Sequence, residues 1–328
     1  MYEKIYSNPD IYKIYVPLPN NPLKNLNCYV VKTEEKNLII DTGFNLRECY
    51  DALSSGLKEL EVNIAKSEMF LTHLHSDHTG LAPFVMNDDS VIYMSKIDYD
   101  YLNNDSEEYS WNTLYRKYMS EGFPREAIET LHKSNPAEAY AAEKSFKAVT
   151  VKNNDKIKIG GYEFSCVFTP GHTPGHMCLY LESEKLMFLG DHVLFDITPN
   201  ITFWMGTRDS LKDYMESLNK IKSFNVITAL PAHRNSSVGF YERIDQILEH
   251  HAQRLECCLN IIKSNPGLHA YDIAGLMKWS MRGKGWQDFP MHQKWFAVGE
   301  AIAHLDYLRG QNKIYRRFEN GTYRYYAF

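Results

Sequence analysis

Residues 69–78 read Met-Phe-Leu-Thr-His-Leu-His-Ser-Asp-His. The first half is apolar and strand-like, and the second packs four metal-competent side chains, His73, His75, Asp77 and His78, into six residues. Imidazole and carboxylate are ligands for zinc, iron and manganese, and a cluster this dense is hard to stabilise without a cation. A short buried strand ending in ligands is how open α/β sheets build their sites. The stretch therefore predicts an α/β fold with a metal centre at the strand ends.

Working outward, strand signals fall at 11–18, 27–32 and 38–41, and a helical spacing at 46–60. A helix starts at 81–86 and a strand follows at 91–94. Strand signals return at 147–151, 156–159, 163–169, 178–181 and 186–189, then a helix at 211–224 and a buried strand at 226–230. Ligand-type residues recur at these strand ends: Asp41, His172 and His176 in Thr169-Pro-Gly-His-Thr-Pro-Gly-His176, Asp191 and His192 after Gly190, and His233 after Leu230-Pro-Ala. Each alone has a bland reading, since a single His at a strand end is more often a hydrogen-bonded structural residue. The Thr-Pro-Gly-His unit occurs twice in succession, so local sequence does not choose between His172 and His176. Asp41 reads as a residue that orients a ligand His or caps a turn. For His192, substrate contact and simple packing stay open, and His250, His251 and His269 read as solvated or packing residues.

The order His-x-His-x-Asp-His, a later His after a Pro/Gly turn, Gly-Asp and a final His resembles the metallo-β-lactamase fold superfamily, over roughly residues 10–240. The resemblance implies a four-layer αβ/βα sandwich and two divalent metal ions, zinc first, with iron or manganese as alternatives. It implies a first metal on His73, His75 and His172, a second on Asp77, His78 and His233, and Asp191 bridging both. In this family the first of the two Thr-Pro-Gly-His units supplies the ligand, hence His172. Two ions about 3.5–4 Å apart lower the pKa of a shared water from about 15.7 towards neutrality, so the implied nucleophile is hydroxide; Asp77 would orient it or take the proton of the water from which it forms. Asp77 and Asp191 are the residues implied to be catalytic.

Residues from about 96 to 147 interrupt the strand rhythm with a helical insertion rich in aromatics, among them Tyr99, Trp111, Tyr115, Tyr118 and Phe123. These rings either wall a substrate pocket or pack helices together. A catalytic domain of 1–240 is expected, followed by a small domain at 241–328. The latter combines helical signals at 244–263, 270–279 and 295–309 with a hairpin around Asn320-Gly321, and it resembles the winged-helix domain of one branch of the superfamily. Its third helix places Gly299, Glu300, Ala303, His304 and Asp306 at non-core positions, almost without positive charge, so sequence-specific DNA binding is not expected. Arg316, Arg317 and Arg324 on the wing leave weak phosphate contact open. Trp279, Trp286, Phe289 and Trp295 are expected to pack this module against the large domain.

With 44% hydrophobic and 23% charged residues the chain is globular in composition, and a net charge of −5 does not suggest a nucleic-acid binder. No stretch approaches the roughly 20 apolar residues of a membrane span. The amino terminus lacks a signal-peptide pattern, and six scattered cysteines without a CxxC pair read as reduced thiols of a cytoplasmic protein. The expected partner is a small-molecule substrate, with an apolar or acyl part where the aromatic insertion meets it. Homo-oligomerisation stays open. The leading expectation is hydrolysis of a thioester, ester or lactone. The alternatives are a single-strand endoribonuclease or phosphodiesterase, an iron-dependent redox enzyme and a non-catalytic regulatory protein. The nuclease is opposed by the acidic balance, including Asp105, Glu107 and Glu108 in the insertion. The redox reading is opposed by an intact His75, and the regulatory one by the complete ligand set.

Overall fold

A computed structural model describes residues 1–104, 106–132, 139–142, 145–279 and 285–328. Asp105 and the insertion residues 133–138 and 143–144 lie outside the described residues. The chain divides into two compact units. One comprises Met1–Asn103, Pro136–Pro199 and Ser217–Ile244, the other Asn104–Asn135, Asn200–Glu216 and Asp245–Phe328. Most of the helical insertion thus clusters with the carboxy-terminal residues, a different partition from a cut near residue 240.

The first unit holds two sheets. Strands β1 (Tyr2–Ser7), β2 (Asp10–Pro17), β3 (Asn25–Lys32), β4 (Asn37–Ile40), β5 (Ser67–Phe70), β6 (Ile92–Ser95) and β7 (Val149–Val151) lie side by side in chain order. The pairs from β1 to β4 are antiparallel and those from β4 to β7 parallel. The change occurs where the connections lengthen to include helix α1 (Arg47–Glu59), the short helices α2 (Ser76–Thr79) and α3 (Ala82–Val85), and α4 (Lys96–Leu102). β1 has no apolar alternation because it is a largely exposed edge strand, which is why the sequence pattern does not announce it.

The second sheet runs β12-β11-β10-β9-β8, with β8 (Lys156–Ile159), β9 (Tyr162–Phe168), β10 (Met177–Leu181), β11 (Leu186–Gly190) and β12 (Thr228–Pro231). The two-residue period of β3 sends Leu26, Cys28 and Val30 into one core and Tyr29 and Val31 into another. The first core receives Cys49, Leu53 and Leu57, one stripe of α1. The second receives Phe164, Cys166, Leu179 and Phe188 from the facing sheet. Strands buried on both faces read as unbroken apolar runs.

Gly56 lets α1 close on β2, since a Cβ there would sit 2.8 Å from Ile14 Cγ2. Gly56→Ala gains about 1 kcal/mol of helix propensity but overpacks a buried β-branched side chain at a cost of about 1–3 kcal/mol. A net loss of about 1 kcal/mol is expected, visible as a lower urea midpoint. An unchanged or higher midpoint would mean that Ile14 yields.

In the second unit, α5 (Trp111–Ser120) and α6 (Arg125–His132) of the insertion share a core with α8 (Phe240–Ser264, from residue 245), α9 (Ala270–Leu276), α10 (Met291–Gly310) and the hairpin β13 (Ile314–Glu319) and β14 (Thr322–Ala327). Helix α7 (Ser210–Lys222) clusters with this unit up to Glu216 and with the first from Ser217. Tyr118 stacks on Trp295 with ring centroids 3.4 Å apart, and Tyr115 and Phe123 meet the same indole edge-on. These insertion rings are core residues of their own unit. Trp279 and Trp286 likewise make contacts within it, to Ala274 and Tyr271.

The positions of α10 read as non-core are not exposed. Gly299, Glu300, Ala303 and His304 are buried, and Asp306 is partly so. A Cβ on Gly299 would collide with Thr202, Glu300 pairs with Arg254 at 2.7 Å, and His304 Nε2 lies 3.2 Å from His251 Nδ1. Residues 297–305 of α10 are buried without a break, and a stretch covered on every side cannot be read by periodicity alone. Among the described residues no helix is long and apolar enough to cross a membrane.

Candidate metal centre

The site residues of the first unit all follow strand ends. His73 and His75 leave β5, Asp77 and His78 lie on α2, His172 is in the β9–β10 loop, and Asp191 and His233 follow β11 and β12 directly. Antiparallel β9–β10 and parallel β11–β12 pairing gather the last three on the second sheet, and the bond from Met177 N to the Thr72 carbonyl, 2.9 Å, joins that sheet to the segment carrying the first four.

Two clusters result. His75 Nδ1 lies 3.0 Å from His73 Nε2 and 3.1 Å from His172 Nε2. Ligands held at the usual zinc–nitrogen distance define a tetrahedron with an edge of about 3.3 Å, close to this spacing. In the second cluster His233 Nε2 is 3.4 Å from Asp77 Oδ2 and 3.3 Å from Asp191 Oδ1, and His78 Nε2 is 3.6 Å from the same Asp191 oxygen. Asp191 Oδ2 turns to the first cluster, 3.6 Å from His172 Nε2. The sets His73/His75/His172, His73/His78/Asp191 and Asp77/His78/His233 each converge closely enough to hold a cation.

The donor set fits such a group. His78 Nε2, His233 Nε2 and Asp191 Oδ1 are buried without a hydrogen-bond partner, and burying polar atoms in this way costs about 1–3 kcal/mol each unless something else engages them. The opposite ring nitrogens are already committed. His78 Nδ1 donates to Asp41 Oδ2 at 2.8 Å and His233 Nδ1 to the Asn25 carbonyl at 2.9 Å, so Nε2 is the ring atom that each turns inward.

Charge differs between the clusters. Burial lowers His73 well below the usual imidazole range and His75 to about 4, so these two rings are neutral imidazoles. Burial also pulls His78 down, but the carboxylates of Asp41, Asp77 and Asp191 outweigh it and hold it at about 10. Burial raises Asp77, and His78 and His233 more than reverse the effect, keeping its carboxyl below the ordinary range. The carboxylates of the second cluster thus favour positive charge beside them, whether protons on His78 and His233 or a cation in their place.

Asp41 adopts φ +59° after β4 and accepts from Thr72 N, Thr72 Oγ1 and His78 Nδ1, which makes it an orienting residue. Of the two Thr-Pro-Gly-His units, only His172 points into a cluster. His176 is tied by Nδ1 to Thr169 Oγ1 at 2.8 Å and accepts Asp191 N at Nε2, 3.2 Å. Gly190 makes this possible, because at φ +52° a Cβ would lie 2.6 Å from His176 Nε2. His192 is fully buried with its ring 5.7 Å from that of His176, as in the packing reading. His251 is buried in the second unit beside His304.

Sequence reasoning missed Thr72, Asn27 and Tyr29. Thr72 Oγ1 lies between Asp41 and His73 Nδ1, while Asn27 and Tyr29 of β3 bond the Pro231 carbonyl and so hold the His233 segment. A polar residue in an apolar strand, as Asn27 is, was the available signal.

Comparison with known proteins agrees with this geometry. The family model described as metallo-beta-lactamase superfamily matches residues 22–233, and one described as metallo-beta-lactamase-like, C-terminal domain matches 287–328. A beta-lactamase-like protein 2 homolog of Caenorhabditis elegans is 25% identical over 78% of this chain and 73% of its own. An atrochrysone carboxyl ACP thioesterase of Emericella nidulans is 29% identical over 66% of this chain, which spans only 53% of that protein. A metallo-beta-lactamase family protein from Thermus thermophilus has the same fold, with a TM-score of 0.80 and 24% identity over 97% of this chain and 98% of that one. The chain therefore belongs to the metallo-beta-lactamase superfamily and is a metallo-beta-lactamase-fold hydrolase with His/Asp clusters suited to divalent metal.

Proposed function

We propose that this protein hydrolyses an activated carbonyl compound, a thioester before an ester or lactone, with two divalent cations, zinc by donor type. The observation that carries the reading is the convergence of buried, unpartnered His78 Nε2, His233 Nε2 and Asp191 Oδ1 beside a separate three-imidazole cluster. His73, His75 and His172 would hold one ion, Asp77, His78 and His233 the other, with Asp191 serving both through its two oxygens. Such ions supply a water ionised near neutral pH and a Lewis acid for the carbonyl oxygen. Asp77, kept ionised by His78 and His233, would help hold an ion and orient the attacking water through its carboxylate. Asp41 holds the His78 ring so that only Nε2 faces the site. The thioester preference rests on the similarity to the fungal thioesterase.

The second unit, with helices α8–α10 and the terminal hairpin, we read as a winged-helix-like module with an interaction or shaping role. Its buried α10 offers no reading face. Arg316 pairs with Glu121 at 3.1 Å and Arg324 bonds the Gly267 carbonyl at 2.8 Å, so two of three wing arginines are committed internally. This disfavours the nuclease alternative. Six free cysteines, five of them buried, support a cytoplasmic setting.

The test is hydrolysis of acyl-thioesters by zinc-loaded protein. Stripping with a chelator is expected to lower kcat/KM by about 10³-fold, several kcal/mol of lost charge stabilisation, with recovery on adding zinc back. Equal rates for stripped and loaded protein would overturn the proposal.

A further inference from the structure

Asp98 is fully buried in the first turn of α4, where the helical insertion begins. Its Oδ2 accepts Leu74 N at 3.0 Å and Thr173 Oγ1 at 2.6 Å, and its Oδ1 accepts Gly175 N at 2.6 Å. Leu74 lies between His73 and His75, and Thr173 is next to His172. One carboxylate therefore ties together the two loops that deliver all three imidazoles of the first cluster. Two N–H donors and one O–H donor converging on this buried carboxyl fix its orientation. Gly175 fits against this knot because a Cβ would collide with Ser95 Oγ and lie 2.5 Å from Asp98 Oδ1. The other cluster has its own buried carboxylate, Asp41, bonded to His78.

We propose that Asp98 is a positioning residue for the three-histidine cluster, setting its cation affinity independently of the carboxylate-rich cluster. The inference rests on the two-cation reading. The histidines of the first cluster sit on separate loops, and the spacing of 3.0–3.1 Å between their nitrogens holds only while those loops stay in register. Asp98→Asn keeps the side-chain shape but turns an NH2 towards at least one of the three donors. Thr173→Val removes one donor, and Thr173→Ser keeps it.

The experiment is Zn2+ titration of the full chain against a chromophoric chelator in two backgrounds. His233→Ala leaves the three-histidine cluster whole, and His75→Ala breaks it. In the His233→Ala background, Asp98→Asn is expected to weaken zinc binding by about 10–100-fold, the usual effect of losing a partner that orients ligands. Thr173→Val should weaken it less and Thr173→Ser leave it near the parent. In the His75→Ala background Asp98→Asn should leave binding unchanged. Parent-like affinity of Asp98→Asn with His233→Ala, together with parent-like affinity of Thr173→Val, would overturn the proposal. Equal weakening in both backgrounds would also overturn it, because that is general damage to the fold. A parent that bound no zinc in either background would remove the two-cation reading and this inference with it.

Discussion

Asp191→Asn protein is expected to lose about 10³-fold or more in kcat/KM while staying folded. Asp191 faces both clusters, with Oδ2 3.6 Å from His172 Nε2 and Oδ1 3.3 Å from His233 Nε2. An amide of the same shape replaces one of these oxygens with an NH2 that cannot ligate a cation, and it removes a negative charge from a buried site. A thousandfold loss corresponds to about 4 kcal/mol of transition-state stabilisation, the upper range for removing one electrostatic contact at a reacting centre. The backbone bond from Asp191 N to His176 is untouched, so the loop should hold. Steady-state hydrolysis, metal content per chain and circular dichroism together check this. A variant with the parent's metal content and rate would show that Asp191 bridges nothing.

Glu121→Ala is expected to destabilise the second unit by about 3 kcal/mol. Glu121 is fully buried at the end of α5 and accepts Lys117 Nζ at 2.8 Å, Arg316 at 3.1 Å and Tyr325 Oη at 2.8 Å. It joins the insertion to the terminal hairpin. Removing one partner of a buried ion pair costs about 3–5 kcal/mol because the remaining charge is left uncompensated. Lys117 and Arg316 keep 22% and 20% of their side chains exposed and regain some hydration, which selects the lower end. All five tryptophans, Trp111, Trp204, Trp279, Trp286 and Trp295, belong to this unit, so denaturation followed by tryptophan fluorescence reads it directly. An unchanged midpoint would show that Glu121 is dispensable.

The legible parts of the fold were those with a strong local signal. β3, β4 and β5 stand out because they are apolar on both faces, and α1 because Cys49, Leu53 and Leu57 repeat on one stripe. β1 and α10 were misjudged for opposite reasons. An edge strand exposed along most of its length has no apolar period, and a helix whose central turns, 297–305, are buried throughout has no polar face there to mark its orientation. The aromatic insertion was ambiguous because a ring's burial depends on what folds over it. Trp295 against Tyr118 joins residues 177 positions apart in the chain.

The sequence by itself determined that a cation site lies at strand ends, and which residue types could build it, because ligand chemistry and order are local properties written in His73-x-His75-x-Asp77-His78 and its later counterparts. Tertiary structure alone decided which of two identical Thr-Pro-Gly-His units faces that site, that Asp191 turns one oxygen to each cluster, and that Asp98 joins the loops carrying His73, His75 and His172. The physical reason is that a lone pair's direction and a buried carboxylate's partners are set by packing between segments about a hundred residues apart, about which local spacing carries no information.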